Sequence, residues 1–570
     1  MSFLRVALAV LAVATLAYAR NLGPGLLPDS SIPQACDGGI QAIIGQLNIS
    51  LVDIIDDLIG GSSRGLVDQL PSQLVTHLRE ELEEAKRSPM DEKALKMLKD
   101  QIRRGELPDF DMPIFFGEQI DALIEKLKQL LKEILADLTL NMLFRCYDDY
   151  GCFTKIGWYS RCRMINQFPD APREVDVQYK LYTRANLPDP TVGNAQVFRW
   201  SEPEKIKESF FNPKKETKIL IHGFRQATYE NWLWEMGAEL LAEGDYNVIV
   251  VDWQKGAAGL YAKATANARL VGKDIQNLYG AFGDVYGALK VSASRFHLIG
   301  YAMGAHVAGY AGGQGRGIRF LGRITGMDPT DPSFQWTNAY IRLDESDASF
   351  VDVIHSDSKG WNEYVHCNHR RAHDLFIDSI RSTCPYRAFE CESQEQLEAG
   401  ECDTSNPKTS ARIGMHAVDS KSLLSGRKNV AMFITTGDKN PFCLYHLQFE
   451  VAIASNNPIP EEGRMYVRVT NELGSSEEYG LGDHRVGSYD LLTPGKTHRY
   501  LVQTDRDWKA LNQLEFRWES SNWIGKKYLH IDTIKVTSTD SNTMSRFCLN
   551  GSKYQSVKNY NFAPSLECAA

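Results

Sequence analysis

Four short stretches of this chain carry residue types that could together perform acyl transfer. The first is Arg295-Phe296-His297-Leu298-Ile299-Gly300, which runs into Tyr301-Ala302-Met303-Gly304 and a small-residue run, Ala305-His306-Val307-Ala308-Gly309-Tyr310. Strand, tight turn and helix in that order form an elbow that lifts one side chain into a site on a strained backbone. Gly300 and Gly304 permit the sharp turn and the close packing of helix on strand. In a working elbow the residue lifted is Ser; here it is Ala302, so the scaffold is present and its reactive atom is missing. The second stretch, Gly326-Met327-Asp328-Pro329, sets Asp328 at the carboxyl end of an expected strand. The third, Cys367-Asn368-His369-Arg370-Arg371, supplies an imidazole. The fourth, Ile221-His222-Gly223-Phe224, ends another strand, so that the N–H of Phe224 could pair with that of Met303 to receive an oxyanion. Singly, an Asp-Pro reads as a turn and a His as structural. Together, and in the order nucleophile position, acid, His, they are far more specific.

The elements that must position these residues follow from the apolar pattern. Apolar runs at Thr217–Ile221, Tyr246–Asp252, Arg295–Gly300, Leu321–Gly326 and Phe350–His355 alternate with helical stretches at Asn231–Ala242 and Ala264–Tyr286. Buried strands separated by helices indicate an α/β fold with a mainly parallel sheet covered on both faces. Over 444–540 the texture changes to short alternating segments such as Arg464–Thr470 and Gln513–Trp518, the pattern of a β-sandwich. Towards the N-terminus, Ile120, Leu123, Ile124, Leu127, Leu130, Leu131, Ile134 and Leu138 recur at steps of three and four, which predicts an amphipathic helix. The expected division is 1–19, 20–145 (helical extension), 146–437 (α/β domain) and 438–570 (β-sandwich).

Composition narrows the setting. The chain has 570 residues, 43% hydrophobic and 24% charged, which excludes a disordered chain. A formal net charge of -9 argues against a nucleic-acid partner. Arg5, the apolar run Val6–Leu16 and the small-x-small site Ala17-Tyr18-Ala19 read as a secretory signal peptide, which implies a secreted, extracellular chain. No later stretch is long and apolar enough for a transmembrane segment. Asn48-Ile49-Ser50 and Asn550-Gly551-Ser552 are glycosylation sequons, at about the frequency that chance gives. Eleven cysteines leave at least one thiol outside any internal bridge.

From Cys146 to Cys568 the sequence resembles the pancreatic lipase family. Cys146-Tyr147 through Gly151-Cys152-Phe153, Val250-Val251-Asp252-Trp253, Arg269-Leu270-Val271-Gly272, Arg342-Leu343-Asp344 and Phe350-Val351-Asp352-Val353-Ile354-His355 carry the likeness beside the elbow. The resemblance implies an α/β-hydrolase fold, a C-terminal PLAT domain that docks on lipid or on protein partners, and hydrolysis of lipid esters. It puts the catalytic acid on Asp328, the base on His369, the oxyanion donors on Phe224 and Met303, and the nucleophile on Ala302. Removing the Ser of such a triad costs about 10⁶ in kcat in a subtilisin, or about 8 kcal/mol of barrier. Tyr301 is adjacent, but its side chain leaves the elbow in another direction and its ordinary pKa is about 10. The family's long insert, which forms the lid and a wall of the acyl groove, is nearly absent, since His355 and His369 are only fourteen positions apart.

The resemblance also implies a structural calcium ion held by the carbonyls of Ala339 and Arg342 and the carboxylates of Asp344 and Asp347, a hard oxygen set that suits Ca²⁺; without it the stretch reads as an acidic surface loop. It further implies the disulfides Cys146–Cys152, Cys391–Cys402, Cys548–Cys568 and Cys367–Cys384, with Cys36, Cys162 and Cys443 left over. The functional expectation is a secreted lipase-like protein that has lost catalysis and binds, carries or stores lipid or another apolar ligand, as lipase-like yolk proteins do. The alternative is a secreted triacylglycerol lipase or phospholipase.

Overall fold

The computed structural model describes residues 144–155, 166–187, 194–313, 317–356, 365–404, 406–424, 426–482, 488–522, 524–565 and 568. The expected signal peptide, the sequon at Asn48, Cys36, Cys162 and nearly all of the expected helical extension lie outside them. Phe144 and Arg145, placed at the end of that extension by the sequence pattern, instead open a strand. The described residues fall into two units, those up to Pro169 and those from Asp170 onward. Within the first, strand Phe144–Tyr147 pairs with Gly151–Thr154 and the Cys146–Cys152 disulfide closes the hairpin.

The second unit holds a seven-stranded sheet: β1 (Gln178–Tyr182), β2 (Gln196–Phe198), β3 (Thr217–Ile221), β4 (Asn247–Asp252), β5 (Phe296–Tyr301), β6 (Arg323–Met327) and β7 (Val351–Ile354). Its order is β2-β1-β4-β3-β5-β6-β7. The pairs from β4 to β7 are parallel, and β1 and β2 add antiparallel strands at one edge. Every residue of β3, β5 and β6 is buried, which is why these strands read as continuous rather than alternating apolar runs. Helices α1 (Asn231–Glu243), α2 (Tyr261–Tyr286), α3 (Met303–Gly312) and α4 (Val365–Arg381) cover the sheet. Trp232, Leu233, Met236 and Leu240 of α1 join Ala372, Leu375, Phe376 and Ile380 of α4 in one core with Leu220, Val250, Ile299 and Met327 of the strands. Each Leu, Ile, Val, Met or Phe among them contributes about 1.5–3 kcal/mol of hydrophobic stabilisation when fully buried.

A hairpin of β8 (Arg387–Phe389) and β9 (Ser410–Arg412) leads to the C-terminal strands. These are β10 (Tyr445–Ile453), β11 (Glu461–Asn471), β12 (Ser476–Leu481), β13 (Asp490–Leu492), β14 (Thr497–Thr504), β15 (Leu511–Ser520), β16 (Tyr528–Ser538), β17 (Thr543–Gln555) and β18 (Tyr560–Phe562). They form two antiparallel sheets, β14-β10-β16-β17 and β12-β11-β15-β18, with β13 on β11. Their alternate side chains meet in one core around Phe449, Val467, Phe516, Trp518, Ile534 and Phe547, as expected for a sandwich. At the junction with the α/β domain, Asp540 accepts from Arg387 Nε (3.3 Å) and from the His446 N–H (2.7 Å). Phe389, Leu397, Cys402 and Leu501 pack together beside it.

Cys391–Cys402 and Cys548–Cys568 are present, but Cys384 bridges Cys443, not Cys367. The reason is length. Cys367 lies in the first turn of α4 and Cys384 beyond its last, and fourteen residues of helix span about 21 Å, whereas a disulfide needs Cα atoms within about 7 Å. The strand-ward return at Phe442, whose N–H donates to Asp378 (3.0 Å), brings Cys443 alongside Tyr386 and so within reach of Cys384. Among the described residues no helix is long and apolar enough to cross a membrane.

Candidate functional site

The site is built on close backbone approaches. A Cβ at Gly300 would collide with the backbone of Gly304, and one at Gly304 with the carbonyl oxygens of Ile221 and His222. Only glycine lets α3 start this near β5 and β3. Between the two glycines the chain turns at Ala302, with φ 53° and ψ −118°, a region that a residue with a Cβ enters only under strain of about 1–3 kcal/mol. The turn is held because the Ala302 N–H donates to Met327 O (2.9 Å) and its carbonyl accepts from Ala305 N (3.2 Å). Elbow geometry is therefore intact with a methyl group where the sequence pattern calls for a hydroxyl.

The loop after β3 is pressed against this elbow: a Cβ on Gly223 would lie 3.0 Å from that of Ala302. The loop is fixed from beneath by His222, which stacks on Trp253, donates from Nδ1 to Gly223 O (3.0 Å) and accepts the Trp253 N–H at Nε2 (3.4 Å). Complete burial lowers the His222 pKa to about 4, so the ring is neutral, as this bonding requires. Gly223 N donates to Gln226 Oε1 (2.9 Å) and Arg225 N to Ala257 O (3.0 Å), which leaves Phe224 between two anchored residues. Met303 opens α3, where an amide N–H has no partner within the helix.

Asp328 follows β6 with φ 46°, and its N–H donates to Ile354 O of β7 (2.8 Å). Its carboxylate accepts from His369 Nδ1 at 2.5 Å and from the Ser356 N–H at 3.3 Å, while His355 Nδ1 lies 3.8 Å away. Burial pushes this carboxyl up, but nearby His355 and the hydrogen bond from His369 outweigh it and leave the pKa below the ordinary value. His369 stands on α4 rather than on a loop. Its ring lies 4.6 Å from that of Tyr301, which also meets Trp232 and His373 edge-on. Sequence reasoning missed His355 and Ser356 as partners of Asp328; no local signal marks them, because the parallel register of β6 and β7 brings them there.

Asp328 and His369 thus form an oriented carboxylate–imidazole pair. Such a pair can position a group and protonate or deprotonate it, but it supplies no hydroxyl to form the acyl-enzyme of a serine triad. Tyr301 does not replace the missing nucleophile. Burial, with the Asp328 charge adding to it, pushes its phenol well above the ordinary tyrosine range.

The acidic loop lies beyond the site, against α3. His306 of that helix holds it by accepting the Leu343 N–H at Nδ1 (3.1 Å) and donating to Thr330 O (3.0 Å). Asp347 is buried and its Oδ2 accepts the Asp344 N–H (2.9 Å). Asp344 accepts from Ser346 N and Oγ and lies 3.4 Å from the Arg342 guanidinium. Burial, reinforced by the Asp344 charge, raises the Asp347 pKa to about 8. A buried carboxylate that lacks sufficient countercharge, next to a second carboxylate, is a donor set that fits a hard divalent cation. Among the described residues no group of three or more His, Cys, Asp or Glu side chains gathers as a metal cluster, and such a site would draw its remaining ligands from main-chain carbonyls.

Comparison with known proteins finds one family. The family model described as Lipase matches residues 145–364 and 358–442. The chain is 27% identical over 453 residues to an "Inactive pancreatic lipase-related protein 1" of Homo sapiens, covering 71% of this chain and 92% of the relative. It is 29% identical over 422 residues to a "Pancreatic triacylglycerol lipase" of Oryctolagus cuniculus, covering 65% and 86%. A "Pancreatic lipase-related protein 2" of Cavia porcellus matches at 26% over 434 residues, covering 71% and 96%.

Proposed function

This chain belongs to the lipase family, and from that premise we propose that it is a secreted protein that binds lipid on the lipase scaffold without hydrolysing it. The observation that carries the reading is Ala302 in an otherwise intact elbow. Relatives named as inactive and relatives named as triacylglycerol lipases match about equally well, so overall similarity does not separate the two outcomes. The reacting position does. The serine route to ester hydrolysis on this scaffold needs a hydroxyl at residue 302, and a methyl group removes that acyl-enzyme route. What remains is recognition: N–H donors at Phe224 and Met303 for an ester or carboxylate oxygen, the Asp328–His369 pair beside them, and an apolar surround. Tyr229 and Leu260, both between Phe224 and Ala302 in sequence, are exposed, and the fourteen positions from His355 to His369 leave little chain for a lid.

Four disulfides among the described residues support an oxidising compartment and hence secretion. The C-terminal sandwich is the PLAT-like part that would dock on a lipid surface or a protein partner. A structural calcium ion would be held by the carbonyls of Ala339 and Arg342 with Asp344 and Asp347. It would neutralise the paired carboxylates and pin the loop that His306 supports.

The test pairs turnover with binding. Purified chain, its Asp328→Ala/His369→Ala double variant and Ala302→Ser are each offered a labelled long-chain ester in vesicles. The reading expects retained ester and no free acid above the double variant for the natural chain. It expects at most weak hydrolysis from Ala302→Ser, because the acyl-groove insert is also missing. Hydrolysis by the natural chain that the double variant lacks would support the alternative, a secreted lipase or phospholipase.

A further inference from the structure

The sequon Asn550-Gly551-Ser552 has no part in the lipid site, yet it occupies an unusual place in the sandwich. Strand β17 pairs with β16 through Thr533↔Cys548 and then Ile531↔Ser552. Leu549, Asn550 and Gly551 on one strand thus lie opposite Asp532 alone on the other, and the surplus is extruded as a bulge. Asn550 and Gly551 both adopt left-handed backbone, with φ 52° and 64°, the conformation that an Asn-Gly pair takes with little strain. The base of the bulge is secured: Tyr554 Oη donates to Leu549 O (3.1 Å), and Asn456 Nδ2 to Gly551 O (3.4 Å). Asn550 itself is exposed, and among the described residues its side chain has no hydrogen-bond partner.

The surroundings give the exposure a consequence. β17 is the outer strand of its sheet, and among the described residues no strand pairs with its far side within that sheet. The C-terminal segment covers part of that edge, with Ser565 N on Arg546 O (2.8 Å) and the Cys548–Cys568 disulfide clamping it. The stretch just beyond Cys548 carries the bulge. An uncovered sheet edge invites pairing with other chains, and natural sheets blunt such edges with bulges, charge or a covering group.

We infer that Asn550 is N-glycosylated and that the glycan, together with the bulge, shields this edge of the sandwich. In the transfer, the amide nitrogen Nδ2 of Asn550 forms a bond to the anomeric carbon of the first N-acetylglucosamine. The bond from that carbon to a lipid-linked diphosphate breaks. The diphosphate leaves with the electron pair and Nδ2 gives up one proton. The sugar donor is a lipid-diphosphate oligosaccharide of the secretory route, and the Ser552 hydroxyl completes the acceptor sequence. A residue on a protruding left-handed turn can carry so bulky a group without displacing any packed neighbour.

The inference rests on the secretion included in the proposed function, and the experiment separates the two. The full chain and a Ser552→Ala variant, which keeps Asn550 and its backbone, are expressed in a secreting eukaryotic cell. Medium and cytosol are collected, and peptides from each are treated with a glycan-removing amidase in heavy-oxygen water. The expected result is secreted protein whose Asn550 is converted by the amidase to heavy-oxygen-labelled Asp, well above the background that the Asn550-Gly551 bond gives by spontaneous deamidation without the enzyme, and a Ser552→Ala chain lighter by one glycan with that background alone. Secreted protein whose Asn550 is labelled no more than that background overturns the inference and leaves secretion standing. An unglycosylated chain that remains in the cytosol overturns both.

Discussion

The elbow and the acid–base arm of this site have met different fates. In the elbow the reactive atom is gone while the strained turn persists; in the arm the chemical groups persist. The difference lies in what holds each. The turn at Ala302 is imposed by Gly300 and Gly304, where backbone meets backbone, and no side-chain chemistry at 302 is needed to keep it. Asp328 is a buried carboxylate, and without the His369, His355 and Ser356 contacts it would be left unsatisfied. Preservation of a triad pair is therefore weak testimony for catalysis, since its structural cost of removal suffices to keep it.

Four perturbations sharpen this contrast, and the largest is at the backbone contact. Gly304→Ala drives a Cβ into two main-chain carbonyls that cannot move aside, and should cost about 3 kcal/mol or more by denaturant unfolding, or abolish folding. A near-neutral result would mean that the elbow is looser than its geometry indicates. Acid comes next. His222 and His297 are fully buried and their pKa values are depressed, that of His222 from 6.5 to about 4. Between those values the unfolded chain binds protons that the folded one does not, so stability falls as pH drops through that window, by a few kcal/mol in all. The Asp328 share, whose pKa is already lowered in the fold, is lost only at still lower pH. A melting temperature flat from pH 6.5 down to 4 contradicts this.

Asp328→Ala strands His369 Nδ1 and the Ser356 N–H, and should destabilise by about 1–3 kcal/mol without changing ester turnover. A fall in turnover with unchanged stability would reverse the reading of the arm as structural. The smallest effect belongs to Ala302→Gly. Relief of a left-handed φ outweighs the greater chain entropy of glycine, for a gain of up to about 1 kcal/mol. A loss of stability there would show that the methyl group packs usefully in the empty nucleophile position.

Much of this was legible in the sequence because continuous apolar runs report buried parallel strands: β3, β4, β5, β6 and β7 fall within two residues of the runs that announce them. Asp328 and His369 were legible by order and type, and the structure joins them. The antiparallel edge strands β1 and β2 were not, being short and set by tertiary pairing rather than by pattern. The Cys384–Cys443 bridge escaped because the sequence alone does not give the course of α4 between Cys367 and Cys384. The His355 and Ser356 contacts to Asp328 depend on strand register, which no local motif encodes.

The central claim, that lipid is bound and not converted, is tested most directly by recovering one labelled triacylglycerol from purified chain after prolonged incubation in vesicles. The account predicts intact ester co-purifying with the protein, and free acid no higher than with the Asp328→Ala/His369→Ala chain. Free acid that accumulates with the natural chain and not with that variant would contradict it.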